Sequence, residues 1–236
     1  MFKAILFDLD ATLLNIDMDD FLKHYFQKMT VMAREFGIAN SDHLVRNVWE
    51  STDAMIADLD PSTTNEDAFM RDFFSSGYFT EQDQIRRFFD FFYEKGFPQL
   101  KKYCGPIPGI PEMMEKVIKN HRVIIATNAV FPMKALKDRL AWAGLGHLEF
   151  DLITSYEIMH FCKPHVQYYQ EIMDRLRLKP SQCLMVGNDM GEDLAAGQLG
   201  IKTFLVEDML IEKDVPYQPD WRGHFTDLFA FMEKLG

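Results

Sequence analysis

Asp8 and Asp10 follow the apolar run Ala4-Ile5-Leu6-Phe7 near the start of the chain. In extended backbone, residues two apart point the same way, so the two carboxylates share one side. Like charges held that close need a cation between them or a proton on one of them. A hard divalent ion such as Mg²⁺, which takes oxygen ligands from one or two carboxylates, water and substrate phosphate, meets that need. A carboxylate beside such an ion can also be a nucleophile, through an aspartyl-phosphate. The plainer alternative is that both residues only shape a turn after a strand, where Asp is common.

Three further segments offer groups of the kind phosphoryl transfer uses. Val123-Ile124-Ile125-Ala126 leads into Thr127-Asn128, whose hydroxyl, amide and nearby backbone N–H groups can hold phosphate oxygens; a simple Thr/Asn turn is the alternative. Lys163-Pro164 precedes the amphipathic stretch Val166 to Leu178, with Pro164 expected in the first helical turn. A cation there opposes the helix dipole, so Lys163 invites an anionic partner unless it is a solvated surface lysine. Leu184-Met185-Val186-Gly187 runs into Asn188-Asp189-Met190-Gly191-Glu192-Asp193, placing more carboxylates at a strand end. An acidic helix N-terminus accounts for Glu192 and Asp193 but not for the whole pattern.

Taken in order, these segments resemble the haloacid dehalogenase-like (HAD) hydrolase superfamily over essentially the whole core. Asp8, Asp10 and Thr12 match its Asp-x-Asp-x-Thr motif, Thr127 its strand-ending Thr or Ser, Lys163 its Lys that is often followed by Pro, and residues 187–193 its late acidic motif. The resemblance implies that Asp8 attacks phosphorus and forms an aspartyl-phosphate. Asp10 would protonate the leaving oxygen and then deprotonate water, acid–base work typically giving about 10²–10⁴-fold. Thr127 and Asn128 would bind the phosphoryl group, and Lys163 would neutralise it and orient Asp8. Mg²⁺ would join Asp8, Asp10 through its carbonyl, and a late acid, assigned to Asp189 with Asp193 in support; Asn188 is the competing ligand. Asp10 also favours phosphate esters, because members that displace halide from carbon lack an Asp there. Two departures stand out. Ala11 occupies a position usually held by Gly and would be strained at positive φ. Counting forward from Gly187 puts Asn188 where an acid is common.

The elements that must position these residues follow from periodicity. A continuously apolar strand is expected inside a parallel sheet covered on both faces, and ligands of such sheets sit beyond the carboxyl strand ends. After residue 104 strand and helix alternate, the pattern of an α/β fold with a doubly wound parallel, Rossmann-like sheet. Glu112–Lys119 and Phe225 to Leu235 read as helices, Leu152-Ile153-Thr154 and Thr203-Phe204-Leu205-Val206 as strands, and Val215 to Arg222 as loop. Residues 16–103 show no strand-like alternation but four helical patterns. The first carries Phe21, Tyr25, Met29 and Phe36 and stops at Gly37; the second runs from Leu44 to Leu59, before Pro61. The third carries Phe69, Phe73 and Phe74, and the fourth begins at Thr80 with Asp83 as its capping-box partner. This resembles the all-helical cap domain that many family members insert, closing the site against water. The expected division is a core of residues 1–15 and 104–236 and a cap of residues 16–103. The aromatic run Phe88 to Phe97 is expected chiefly as cap core.

A chain of 236 residues, 47% hydrophobic, can bury a full core, and its net charge of −11 without a basic stripe argues against nucleic acid as partner. Cys104, Cys162 and Cys183 show no metal-type pairing and suit a reducing cytoplasm. His160, Cys162 and His165 surround Lys163 and are not read as a zinc site. No stretch approaches the ~20 apolar residues of a membrane span. The expectation is a cytoplasmic Mg²⁺-dependent phosphatase of a small phosphorylated metabolite, its oligomeric state open. A phosphomutase, a phosphonatase using a cap lysine such as Lys23 or Lys28, and a non-catalytic binding protein are the competing readings.

Overall fold

The computed structural model describes residues 2–235. The chain runs β1 (Ala4–Phe7), β2 (Leu14–Ile16), α1 (Met18–Phe36), α2 (Ser41–Ala57), α3 (Asn65–Ser75), α4 (Gln82–Phe91) and β3 (Cys104–Pro106). It continues with α5 (Ile110–Asn120), β4 (Arg122–Ile125), α6 (Met133–Trp142), β5 (Leu152–Ile153), α7 (Val166–Leu176) and β6 (Cys183–Gly187). It closes with β7 (Lys202–Val206), β8 (Trp221–Gly223) and α8 (Phe225–Leu235). Six strands form one parallel sheet in the order β5-β4-β1-β6-β7-β8. β1 lies inside it, with Phe7 paired to Ile125 on one side and Val186 on the other. All four residues of β1 are fully buried, which is why the strand is apolar without alternation.

From β1 the chain builds outward to β4 and β5, then returns through α7 to β6 on the other side. The crevice at that reversal is where a parallel sheet binds ligands. Asp8, Thr127 and Asn188 lie just beyond the carboxyl ends of these three neighbouring strands.

Over this edge sit α1–α4, then a π-helical turn at Phe92–Gly96 and a 3₁₀ segment at Phe97–Tyr103. Asp17 starts α1 by accepting a hydrogen bond from the Asp20 N–H at 3.1 Å, and Gly37, at φ 78°, ends it. Thr64 caps α3 in the same way through the Asp67 N–H. The Thr-x-x-Asp spacing at Thr80 does not form a cap: Thr80 instead closes a turn through its carbonyl and α4 begins at Gln82. α2 ends at Ala57, so Leu59 falls outside it and is exposed.

Two short elements escape sequence patterning. β2 and β3 pair antiparallel, Leu14 opposite Pro106 and Ile16 opposite Cys104, and tie together the two chain crossings between core and helices. With three residues each, neither shows a readable period. β8 lies in the segment expected as loop; it is a three-residue edge strand after two prolines. The helix expected from Val166 is α7, but Pro164 precedes its N-cap, His165, rather than entering the first turn. No helix among the described residues is long and apolar enough to cross a membrane.

Candidate active site

The loop after β1 is tight. The N–H groups of Thr12, Leu13 and Leu14 all reach back to the Leu9 carbonyl, and the Ala11 N–H donates to the Leu14 carbonyl at 2.8 Å. This turn forces Ala11 to φ 60°, a left-handed conformation that a Cβ disfavours. Of the two outcomes open for this Gly-to-Ala departure, strained at positive φ or harmless otherwise, the backbone takes the strained one. Thr12 is fully buried and donates to Asn188 Oδ1 at 3.0 Å, locking the first loop to the fourth segment.

Asp8 emerges at the strand end, 8% exposed. Its Oδ1 accepts from Lys163 Nζ at 2.9 Å, and the same ammonium donates to Asp193 Oδ1 at 2.6 Å. Lys163 is completely buried. Burial alone would lower its pKa, but Asp193 and Asp8 outweigh burial and keep the ammonium charged. One buried cation thus holds two carboxylates. Burial raises Asp8 from 3.8 to about 6 against the pull of Lys163, and Asp193 to about 7 for the same reasons.

The surroundings place Lys163 accurately. Asn128 Oδ1 accepts from its backbone N–H at 3.1 Å, and Asn128 Nδ2 reaches Glu192 Oε1 at 3.2 Å. The Asn128 side chain thereby clamps the third segment to the fourth. Thr127 is 3% exposed, and its carbonyl accepts from the Tyr168 hydroxyl at 2.7 Å. Gly187 must lack a side chain, because a Cβ there would overlap the Asp193 carboxylate. Asp193 Oδ2 accepts from the Asp189 N–H at 2.9 Å, so Asp193 supports Lys163 rather than opening a helix. A 3₁₀ segment, Leu194–Leu199, follows it.

Asp10 has a partner that the sequence reading missed. Arg139 on α6 is fully buried and donates through Nη1 to Asp10 Oδ2 at 2.8 Å. Its guanidinium lies 3.9 Å from the Phe131 ring centre, with Phe21 and Phe97 at 5.2 and 5.7 Å. Burial raises the Asp10 pKa, while Arg139 and then Lys163 lower it. The signal was available: Ala135, Leu136, Leu140 and Ala143 define a buried helical stripe, and position 139 falls on it. An arginine there has to be paired.

Asp189 and Asn188 are both close to fully buried. Asp189 Oδ1 accepts from the N–H groups of Gly191 and Glu192, and its Oδ2 from Lys213 Nζ at 2.8 Å. Asn188 donates to the Met209 carbonyl at 2.7 Å as well as accepting from Thr12. His160, Cys162 and His165 do not converge: His160 bonds Glu171, His165 the Ile56 carbonyl, and Cys162 lies buried beside Asn65 and the Ala129 carbonyl.

Asp8, Asp10, Thr127, Asn128, Asn188, Asp189, Glu192 and Asp193 line one cavity of about 310 Å³. The cap helices form its other wall. Phe89 and Tyr93 reach the cavity, whereas Phe88, Phe92 and Phe97 are fully buried cap core. Neither Lys23 nor Lys28 lines it.

The donors suit a hard divalent cation. They are all oxygens, carboxylates outnumber cations, and Asp10 Oδ1 is buried without a partner. No group of three or more His, Cys, Asp or Glu side chains is gathered at metal-binding spacing among the described residues. Mg²⁺ requires no such cage, since water and phosphate supply most of its ligands.

A family model described as haloacid dehalogenase-like hydrolase matches residues 2–200. Among curated proteins, the glyceraldehyde 3-phosphate phosphatase of Methanothermobacter thermautotrophicus is 33% identical over 78 residues. That match spans 33% of this chain and 34% of the relative. Similar solved structures include a 2-haloacid dehalogenase from Pseudomonas syringae pv. tomato DC3000, 19% identical, with a TM-score of 0.68 and 100% of both chains covered. A predicted phosphoglycolate phosphatase from Haemophilus somnus 129PT is 20% identical at TM-score 0.58, over 98% of this chain and 97% of that one. A HAD hydrolase from Bacillus subtilis bound to magnesium is 19% identical at TM-score 0.56, over 98% of each chain. At these identities the structural likeness is one of fold.

Proposed function

The chain belongs to the haloacid dehalogenase-like hydrolase family, and on that premise we propose that it is a Mg²⁺-dependent hydrolase of small phosphomonoesters. The observation that carries the reading is the Lys163 bridge: one buried ammonium holds Asp8 at the floor of a cavity that Asp10 and Thr127 also line. Nucleophile, acid–base group and phosphate-binding hydroxyl then meet at one point, as phosphoryl transfer requires.

In the proposed reaction an Asp8 carboxylate oxygen attacks phosphorus, and the ester P–O bond breaks. A proton held on Asp10 passes to the leaving oxygen. Water then attacks the aspartyl-phosphate, Asp10 takes its proton, and the bond to Asp8 breaks to give inorganic phosphate. Asp10 must serve in both protonation states, and opposing influences tune it: burial favours the acid and Arg139 the carboxylate. Lys163 neutralises charge on Asp8, and Thr127 holds a phosphoryl oxygen. Mg²⁺ held by Asp8, the Asp10 carbonyl and Asp189 would offset negative charge on the phosphoryl oxygens. Asp189 becomes available when Lys213 releases its Oδ2; Asn188, already bonded on both ends, supports the first loop.

Hydrolysis of phosphate esters is favoured over dehalogenation of a haloacid, since among the described residues no Lys, Arg or His lines the cavity to receive a substrate carboxylate. The missing cap lysine disfavours phosphonate cleavage in the same way. We place residues 1–15 and 104–236 in the catalytic core and 16–103 in the cap, with the β2–β3 ribbon between them, and the protein in the reducing cytoplasm, where its three free cysteines are stable. The test is phosphate release from a panel of esters, triose phosphates included, with Mg²⁺ or EDTA. Release by wild type, abolished by EDTA and by Asp8→Asn, supports the reading. Release that survives in Asp8→Asn contradicts it, and phosphate returned to a second position of the substrate would indicate a mutase.

A further inference from the structure

The cap side of the cavity has a composition that the reaction does not explain. It is built from apolar side chains, among them Leu22, Phe26, Val48, Ile56, Met70 and Phe89. Every charged residue on the lining is acidic, and among the described residues no Lys, Arg or His side chain lines it. Three of the polar groups on this wall are already engaged. The Tyr25 and Tyr93 hydroxyls bond each other at 2.8 Å, and the Thr52 hydroxyl donates to the Val48 carbonyl at 2.8 Å. Three cations pair with lining carboxylates: Lys163 and Arg139 are sealed below the floor, and Lys213, half-exposed, is held on Asp189 away from the cap wall.

From this we propose that the substrate is an organic phosphate whose leaving group is apolar and uncharged: a single aromatic ring or a short branched chain on the phosphate ester. The inference rests on the phosphomonoester reading above and adds the part of the substrate that faces the cap. A phosphate at Asp8 directs its ester substituent away from the strand ends, into the helices. There a ring or branched alkyl group gains by leaving water, in a cavity at the small end of the range for ligand sites. A second anionic group against the cap wall would be buried with no cation on that wall and near five carboxylates, and the several hydroxyls of a sugar would outnumber the partners that Tyr156 and Trp49 offer. Each unmatched hydroxyl weakens binding by about ten- to a hundred-fold.

Trp49 gives the molecule its own reporter. It lines the cavity, is 44% exposed, and its ring lies 5.3 Å from that of Phe26. A ligand entering past it should alter its fluorescence, with Trp49→Phe as the control.

The experiment compares phenyl phosphate with its 4-carboxy derivative and with a hexose phosphate, in the full chain with Mg²⁺. We expect kcat/KM for phenyl phosphate to exceed the other two by at least about a hundred-fold. Thr52→Lys, which adds a cation to the cap wall, should narrow the gap for the carboxylated ester by about ten-fold or more. Equal or better turnover of the carboxylated ester or the hexose phosphate by wild type overturns the proposal. If no ester is hydrolysed, the hydrolase reading fails by itself and binding decides this one: benzylphosphonate and its 4-carboxy analogue are titrated by Trp49 fluorescence and calorimetry. Tighter binding of the plain phosphonate upholds the apolar site, and equal or weaker binding overturns it.

Discussion

Arg139 gives the sharpest test of how the site is held. The guanidinium is fully buried, and of its nitrogens only Nη1 is bonded, to Asp10; Nε and Nη2 have no partner among the described residues. Arg139→Met keeps the apolar length of the side chain, lets sulfur meet the three surrounding rings, and removes the charge. Breaking one side of a buried pair costs about 3–5 kcal/mol, because the remaining charge has no partner. Here the Asp10 side chain is 17% exposed at the cavity and can relieve itself by taking a proton, so the lower end applies. Asp10 is already raised by burial, and Arg139 is the first of the groups holding it down. Without Arg139 its folded pKa climbs further above the unfolded value. Stability is then retained at low pH and lost as pH rises through the new value. In urea unfolding we expect Arg139→Met to lose about 3 kcal/mol at about pH 8 and about 1 at about pH 5. Adding Asp10→Asn should restore stability to within about 1 kcal/mol of wild type, since exchanging both charges for neutral groups is close to neutral. On the proposed mechanism, kcat of Arg139→Met should fall more than kcat/KM, because a protonated Asp10 still serves the first step but not the second. A double variant no more stable than the single, or a loss independent of pH, would refute the assigned pairing.

Three further outcomes follow from the same geometry. Ala11→Gly should relieve the φ of 60° and raise Tm by about 1–2 °C, the ~1–2 kcal/mol of left-handed strain being partly offset by glycine's freer unfolded chain; an unchanged or lower Tm would contradict the strain. In EDTA, Asp8→Asn should be more stable than wild type at about pH 8, by up to about 3 kcal/mol, with the difference vanishing near pH 4. The sign follows from the raised Asp8 pKa, 3.8 to about 6: its stabilisation is present below the lower value and lost as pH rises through the higher. A gain that grows toward low pH would refute it. Lys213→Met should tighten Mg²⁺, read by calorimetry, because Asp189 Oδ2 no longer has a competing ammonium; weaker Mg²⁺ binding would remove Asp189 from the proposed ligand set.

Much of the core was legible because its signals are local. β1 is apolar at every residue and ends on Asp8, and a strand with neighbours on both sides has to look that way. In the helices above the sheet, α1 announces its end with Gly37, whereas its start at the Asp17 cap went unread. The β2–β3 ribbon was not legible, since three-residue strands have no period and their pairing joins positions about ninety residues apart. Thr80 and Thr64 offer the same cap spacing, and only tertiary packing decides that Thr64 uses it. Within the candidate site, residue types pointed to Asp8, Asp10 and Lys163, but not to how Asp193 and Asp189 divide their work. That division depends on Lys163 lying on one carboxylate and Lys213 on the other. Arg139 sits on a legible buried stripe, but nothing local names its partner, which lies 129 positions away.

Asp8 as the nucleophile can be tested by trapping its phosphorylated form. Wild-type protein mixed with phenyl phosphate and Mg²⁺ is quenched within one turnover, reduced with borohydride, digested and mapped by mass spectrometry. We expect conversion of Asp8 to homoserine in a substrate-dependent fraction, absent in Asp8→Asn and absent at Asp10. Steady phosphate release with no modified Asp8, or modification at Asp10 instead, would contradict it.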